Sequence, residues 1–163
     1  MAPADPAPDE TERPPGGRPG AVLFVCRHNA VRSPMAAALA RHLAGRSVYV
    51  RSAGVRPGEK DPFAVAVMAE VGLDIAGHRP ISLEDLADTN FDLVVTLTPE
   101  AHHQVLDLTR AEAVEVEYWP IYDPTATMGS RNQIMDAYRG VRRDLEMRIR
   151  RRFGLPMKPL LGE

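Results

Sequence analysis

The sequence predicts an α/β fold, a three-layer α/β/α sandwich around a central four-stranded parallel sheet. Three observations carry this. Four short β-type runs alternate with helical patterns along the chain, the arrangement of parallel strands joined by helical crossovers. The first run, Ala21 to Val25 (AVLFV), is wholly apolar, as suits a strand buried on both faces. Ser-Pro and Thr-Pro pairs then mark the starts of helices after the first and third runs.

In chain order, residues 1–20 hold six prolines and almost nothing that could be buried, so they read as a disordered, passive leader. Ser33-Pro34 opens the first helix, with serine able to cap and proline suited to the first turn. That helix continues through MAAALARHLAG and stops near Gly45. Ser47 to Ala53 is the second strand, ending at Gly54. Pro62 to Val71 has apolar residues at Phe63, Val67, Met68 and Val71, a helical spacing. Phe91 to Leu97 (FDLVVTL) is the third strand, and Thr98-Pro99 starts another helix. In Val114 to Trp119, the fourth strand, Val114, Val116 and Tyr118 alternate with glutamates. A long last helix runs from about Arg131 to Phe153, with Ile134, Tyr138, Val141, Leu145, Ile149 and Phe153 on one stripe. One domain, 21–155, and a short tail, 156–163, complete the division; no internal repeat is present.

Composition bounds the function. The 163 residues suit one domain with one sizeable core, and 44% hydrophobic residues is a globular value. A formal net charge of -2 points to neither nucleic acid nor a membrane surface. The one cysteine forms no intramolecular disulfide, which removes the secreted disulfide-scaffold class. No apolar run approaches the roughly 18 residues that span a bilayer, and the N-terminal stretch lacks the apolar core of an export signal. The expectation is a cytoplasmic protein with a free thiol at Cys26.

In parallel α/β sheets ligands sit at the carboxyl ends of strands, which puts Cys26-Arg27-His28-Asn29-Ala30-Val31-Arg32-Ser33 at the binding edge. With 18 arginines in the chain, a cysteine followed by an arginine six positions on is weak by itself. Its place between a buried strand and a helix start makes it informative. Such a loop can converge backbone N–H groups from Arg27 to Ser33 on an oxyanion. Arg32 supplies a planar guanidinium for bidentate grip, Asn29 fixes the loop by side-chain hydrogen bonds, and Cys26 is the nucleophile. A free thiol is mostly protonated at neutral pH, so the helix N-terminus, Arg32 and the Ser33 hydroxyl are needed to stabilise the anion. The leaving group needs an acid. Asp123, in Trp119-Pro120-Ile121-Tyr122-Asp123-Pro124, follows the fourth strand and belongs on the same edge, where Pro124 stiffens its loop. Trp119 and Tyr122 read as core or rim aromatics before substrate contacts, with Tyr122, beside Asp123, the better candidate for an exception.

The runs VLFVCRHNAVRSPMA, SAGVRPG, FDLVVTL and YDP resemble the low-molecular-weight protein tyrosine phosphatase family, together with the arsenate reductases of the same fold. The resemblance covers about residues 21 to 155. It implies Cys26 as nucleophile, Arg32 as phosphate binder, Ser33 as thiolate stabiliser, Asn29 as loop-shaping residue and Asp123 as general acid. It also implies no metal or organic cofactor, a phosphocysteine intermediate, and a phosphorylated protein or small aryl phosphate as substrate. The chain departs from the family pattern in three respects. His28 stands where the phosphatases usually have glycine, and Val31 where many members carry a second cysteine. Thr125-Ala126-Thr127 and Val55-Arg56-Pro57 occupy places where aromatics wall a phosphotyrosine pocket.

Two further classes stay in view. Arsenate mimics phosphate in the same cradle, but with one cysteine a reductase must recruit glutathione or glutaredoxin. The last helix carries Arg139, Arg142, Arg143, Arg148, Arg150, Arg151 and Arg152, a run able to grip an acidic partner such as nucleic acid. With Asp136, Asp144 and Glu146 interspersed, it is expected to be a solvated face instead. His102-His103, about 100° apart on a helix, chelate poorly, and His42 and His78 have no ligand set beside them.

Overall fold

The computed structural model describes residues 18–87, 90–110 and 112–161. The proline-rich leader, except Arg18 to Gly20, and the last two residues of the tail lie outside them. The strands are β1 (Ala21–Cys26), β2 (Tyr49–Gly54), β3 (Leu93–Thr96) and β4 (Glu115–Tyr118). The helices are α1 (Arg32–Ala44), α2 (Pro62–Ala69), α3 (Pro99–Leu108) and α4 (Arg131–Arg152). Short 3-10 turns occupy Gly45–Ser47 and Pro124–Ala126. The four strands form one sheet in the order β2-β1-β3-β4, every pair parallel, as the sequence predicts.

Alternation along β1 explains the layers. Val22, Phe24 and Cys26 face a large core shared with α1, α2 and α4. Leu23 and Val25 face a smaller one filled by Val94, Ala101, Val105 and Leu86 under α3. Both faces of β1 are therefore covered, which is why its sequence shows no polar alternation.

Three helices open on side-chain caps. Asp61 accepts from the Phe63 and Ala64 amides, Thr98 from Ala101, and Ser130 forms a reciprocal capping box with Gln133. The fourth does not. Helix α1 begins at Arg32, its N-cap position is Val31, and no side chain caps it. Ser33 thus lies inside the first turn and does not cap, contrary to the sequence expectation; its hydroxyl is used elsewhere.

The basic face of α4 also differs from the solvated face expected. Arg142, Arg150 and Arg152 are buried. They pair with Glu70, Glu146 and the Glu115–Glu117 pair of β4, while Arg139 pairs with Glu70 and Asp136. Arg148 pairs with Asp144. Through the pairs with Glu70, Glu115 and Glu117 the helix docks against the end of α2 and the sheet edge, since a buried guanidinium must be matched by carboxylates. Hydrogen bonds from Arg139, then Arg142, hold the Glu70 carboxyl at about 2 against the opposing effect of burial. Residues 156–160 return to the same helix, where Arg150 Nη1 donates to the Pro156 carbonyl and the Leu160 amide to Glu146.

Candidate active site

Cys26 ends β1, and the chain turns through residues 27–31 into the uncapped N-terminus of α1. Five of the six carbonyls from Cys26 to Val31 are engaged. Cys26, Arg27 and His28 accept from the amides of Val55, Arg56 and Gly58, and Asn29 from His78 Nε2 at 2.9 Å. The Val31 carbonyl accepts the first helical bond from Met35. Carbonyls held outward leave the amides turned inward. Asn29 N–H donates to Cys26 Sγ at 3.3 Å, and among the described residues the amides of Ala30, Val31, Arg32 and Ser33 donate to no protein acceptor. Converging amides at a helix N-terminus form an anion-binding nest.

Asn29 is the hub of the loop. It is fully buried, and among the described residues it is the only non-glycine residue with positive φ, at 54°. Asparagine tolerates that conformation better than most residues. Its Nδ2 donates to Ser33 Oγ at 2.8 Å and Ser52 Oγ at 2.9 Å, and its Oδ1 accepts from the Ile81 amide at 3.0 Å. Because Ser33 Oγ accepts from Asn29, its own proton can point at Cys26 Sγ, 3.0 Å away, with the Ala53 carbonyl at 3.3 Å as competitor. Gly54 lies flat against the loop: a Cβ there would sit 2.7 Å from the Asn29 nitrogen and 2.8 Å from the His28 carbonyl carbon. His78 presents Nε2–H to the Asn29 carbonyl, which fixes its tautomer. Burial lowers its pKa and that bond partly opposes the shift. Sequence reading gave His78 only a packing role beside the loop, and did not single out Ser52 or Gly54 for the site; the fold brings all three to Asn29.

Arg32 reaches across the hollow, its side chain largely buried, and Nη1 donates to the Ile121 carbonyl at 3.1 Å. Its Nη2 lies 3.9 Å from Asp123 Oδ2. Asp123 caps the Pro124–Ala126 turn: Oδ1 accepts from the Thr125 amide at 3.0 Å and the Thr125 hydroxyl at 2.6 Å. Partial burial alone would raise its pKa. The two Thr125 bonds, then Arg32 and His28, outweigh burial and hold the carboxyl below its usual value.

These side chains surround one hollow of about 280 Å³, floored by Cys26, Ala30, Val31 and Arg32. Its size and polar lining suit a tetrahedral oxyanion with a short attached group. Gly58, Glu59, Asp61 and Thr125 complete the wall. Asp61 carries a signal that sequence reading passed over, an Asp-Pro pair directly before an apolar helical run. Among the described residues no phenylalanine, tyrosine or tryptophan lines the hollow. Tyr122 is exposed outside it and bonded to Thr127 Oγ1 at 2.8 Å, and Trp119 is buried against Phe24. Of the loop's side chains, Arg27 and His28 stand at the exposed rim. Burial, then Arg27 and Arg56, lowers the His28 pKa, with Glu100 pulling the other way. Among the described residues no three His, Cys, Asp or Glu side chains are grouped to hold a metal ion, and no helix is long and apolar enough to cross a membrane.

Residues 21–152 match the family model described as low molecular weight phosphotyrosine protein phosphatase. The chain is 30% identical over 128 residues to the glutaredoxin arsenate reductase of Synechocystis sp., covering 78% of this chain and 92% of that one. Among solved structures, an arsenate reductase in the phosphate-binding state superposes with a TM-score of 0.62 at 29% identity, over 79% of this chain and 92% of that one. A low molecular weight protein tyrosine phosphatase from T. tengcongensis superposes with a TM-score of 0.66 at 27% identity, over 80% and 95%.

Proposed function

We propose that this chain, which belongs to the low molecular weight phosphotyrosine protein phosphatase family, hydrolyses aryl phosphate monoesters, phosphotyrosine among them, through a phosphocysteine at Cys26. One observation carries the reading. Cys26 Sγ lies among inward-facing amides, with the Arg32 guanidinium and the Asp123 carboxylate side by side across the same hollow. Phosphate oxygens take the place between the amides and Arg32. The Cys26 thiolate, receiving hydrogen bonds from the Asn29 amide and the Ser33 hydroxyl, attacks phosphorus; an S–P bond forms as the bond to the leaving oxygen breaks. Asp123 gives its proton to that oxygen. A water then attacks phosphorus, Asp123 takes the water's proton, and the S–P bond breaks to release phosphate and restore the thiolate.

Asp123 must be protonated for the first step, although its neighbours favour the carboxylate. A bound phosphate dianion beside it reverses the balance. It neutralises Arg32 and places negative charge next to the carboxyl, which raises the carboxyl's proton affinity where the proton is used. Water is the only co-reactant, so this chain's own residues suffice.

The names of the sequence relatives favour a second reading, thiol-dependent reduction of arsenate in the same cradle. Arsenate accepts two electrons on becoming arsenite. Two thiols supply them on forming a disulfide, and the sequence holds one cysteine. Cys26 would bond to arsenic, and an external thiol such as glutathione would attack the sulfur, forming a mixed disulfide as arsenite leaves. The two readings part on one pair of assays. Hydrolysis of p-nitrophenyl phosphate with no thiol partner supports the phosphatase. Arsenate loss only when glutathione and glutaredoxin are added, with p-nitrophenyl phosphate left intact, overturns it in favour of the reductase.

A further inference from the structure

The rim of the hollow has a charged structure that the chemistry at Cys26 does not use. Arg27, next to the nucleophile, and Arg56, in the segment after β2, converge on one carboxylate, Glu100, in the first turn of α3. Arg27 Nε lies 3.2 Å from Glu100 Oε2, and Arg56 Nη2 lies 3.0 Å from Oε1. Three different elements place these groups, and the Arg56 backbone is fixed by its amide bond to the Arg27 carbonyl. Two guanidiniums about one carboxylate are an anion-binding arrangement with an internal occupant. The triad keeps one uncancelled positive charge. All three side chains are about half exposed, between 41% and 52%. Ion pairs that open are worth little, so the internal occupant is easily displaced.

The opposite wall has the other sign. Glu59, Asp61 and Asp123 line it. Asp61 is already engaged as the α2 cap and by the Tyr138 hydroxyl at 2.6 Å, and Asp123 by Thr125. An extended substrate held by its phosphate therefore meets a basic side toward α3 and an acidic side toward α2.

Resting on the phosphatase reading, we propose that Arg27 and Arg56 form a second anion subsite, occupied by Glu100 at rest, that selects substrates with a carboxylate or second phosphate beside the phosphorylated residue. The incoming anion takes the place of Glu100 between the two guanidiniums, and the α3 carboxylate swings into water. Burial is the first cause of the lowered His28 pKa; Arg27 and Arg56 add to it, while Glu100 opposes it.

The test uses the full chain with Cys26→Ser, so that binding is read without turnover, and two phosphotyrosine peptides, one with acidic and one with neutral neighbours. Isothermal calorimetry is expected to give about three- to tenfold tighter binding of the acidic peptide, a preference that shrinks as salt is added. Arg56→Ala in that background removes the preference. Glu100→Gln, which takes away the competing charge and keeps the shape, enlarges it by about threefold. Equal binding of the two peptides, or a preference that neither substitution moves, overturns the subsite. Because Cys26→Ser does no chemistry, that failure is distinct from failure of the phosphatase reading, which is the absence of p-nitrophenyl phosphate hydrolysis by the unaltered chain.

Discussion

The loop that carries the nucleophile and the loop that carries the acid are built on opposite principles. Around Cys26, residues 26–29 and 31 are pinned from outside by four backbone or side-chain donors and one helical bond, and the side chain of the central Asn29 is fully buried. The Asp123 side chain instead makes local, turn-like hydrogen bonds, to Thr125 two residues on, and is 44% exposed. The difference follows from the work each loop is proposed to do. A cradle gains from donors that are already aimed and need not reorganise when charge arrives. An acid must gain and lose a proton in each cycle, which calls for access to water.

The sharpest way to break this comparison is at the sulfur. Cys26→Ser keeps the size of the side chain and leaves the fold standing, while p-nitrophenyl phosphate turnover falls to background. Retained turnover, with thermal unfolding unchanged, removes Cys26 from the mechanism. Next in size is Asp123→Asn, which slows the first chemical step by roughly 10²- to 10⁴-fold. The loss should be greater for alkyl than for nitrophenyl leaving groups, because a good leaving group needs little protonation. An equal loss across leaving groups assigns Asp123 to positioning Arg32 instead.

Asn29→Ala tests the pinned side. It removes three side-chain hydrogen bonds and places alanine at positive φ, so it should cost about 2–4 kcal/mol of stability in urea denaturation. It should also weaken phosphate inhibition of the folded fraction, since the amides lose their aim. Thr125→Ala, which deletes one exposed hydroxyl bond in the acid loop, should lower the unfolding midpoint much less. Similar losses at the two positions would erase the contrast between the loops.

Legibility in the sequence divides along the same line. The strand-loop-helix unit from Ala21 to Gly45 is contiguous, so its apolar run, cysteine, arginine and Ser-Pro were readable together; the sheet and its parallel order followed from the alternation of elements. What could not be read depends on groups distant in sequence. Ser52 and Gly54 reach Asn29 only through β2. Ser33 looked like a cap by local chemistry, and its hydroxyl went to Cys26 and Asn29 because the chain folds back over it. Arg142 and Arg152 of α4 looked solvated because their partners, Glu70, Glu115 and Glu117, lie on other elements. Residue type reports what a side chain can do locally, and burial by remote elements decides which of those options is taken.

The smallest effect is a displacement along the pH axis, and it probes the acid loop alone. Partial burial raises the Asp123 pKa, while the Thr125 hydroxyl, the Thr125 amide, Arg32 and His28 lower it further than burial raises it. The sign for activity is then fixed. The first step needs the protonated acid, so a depressed pKa moves the alkaline limb of kcat/KM toward lower pH. Thr125→Val removes the hydroxyl donor at 2.6 Å and keeps the shape and the amide. The carboxyl rises toward its usual value, the protonated fraction at a given pH increases, and the alkaline limb moves upward. Stability shifts the opposite way. A depressed native pKa contributes stability above the unfolded-state value, lost as pH falls through the native one, so Thr125→Val gives up that contribution at neutral pH. A limb that stays in place while stability falls would leave Thr125 as a brace of the turn and take the proton in the rate step away from Asp123.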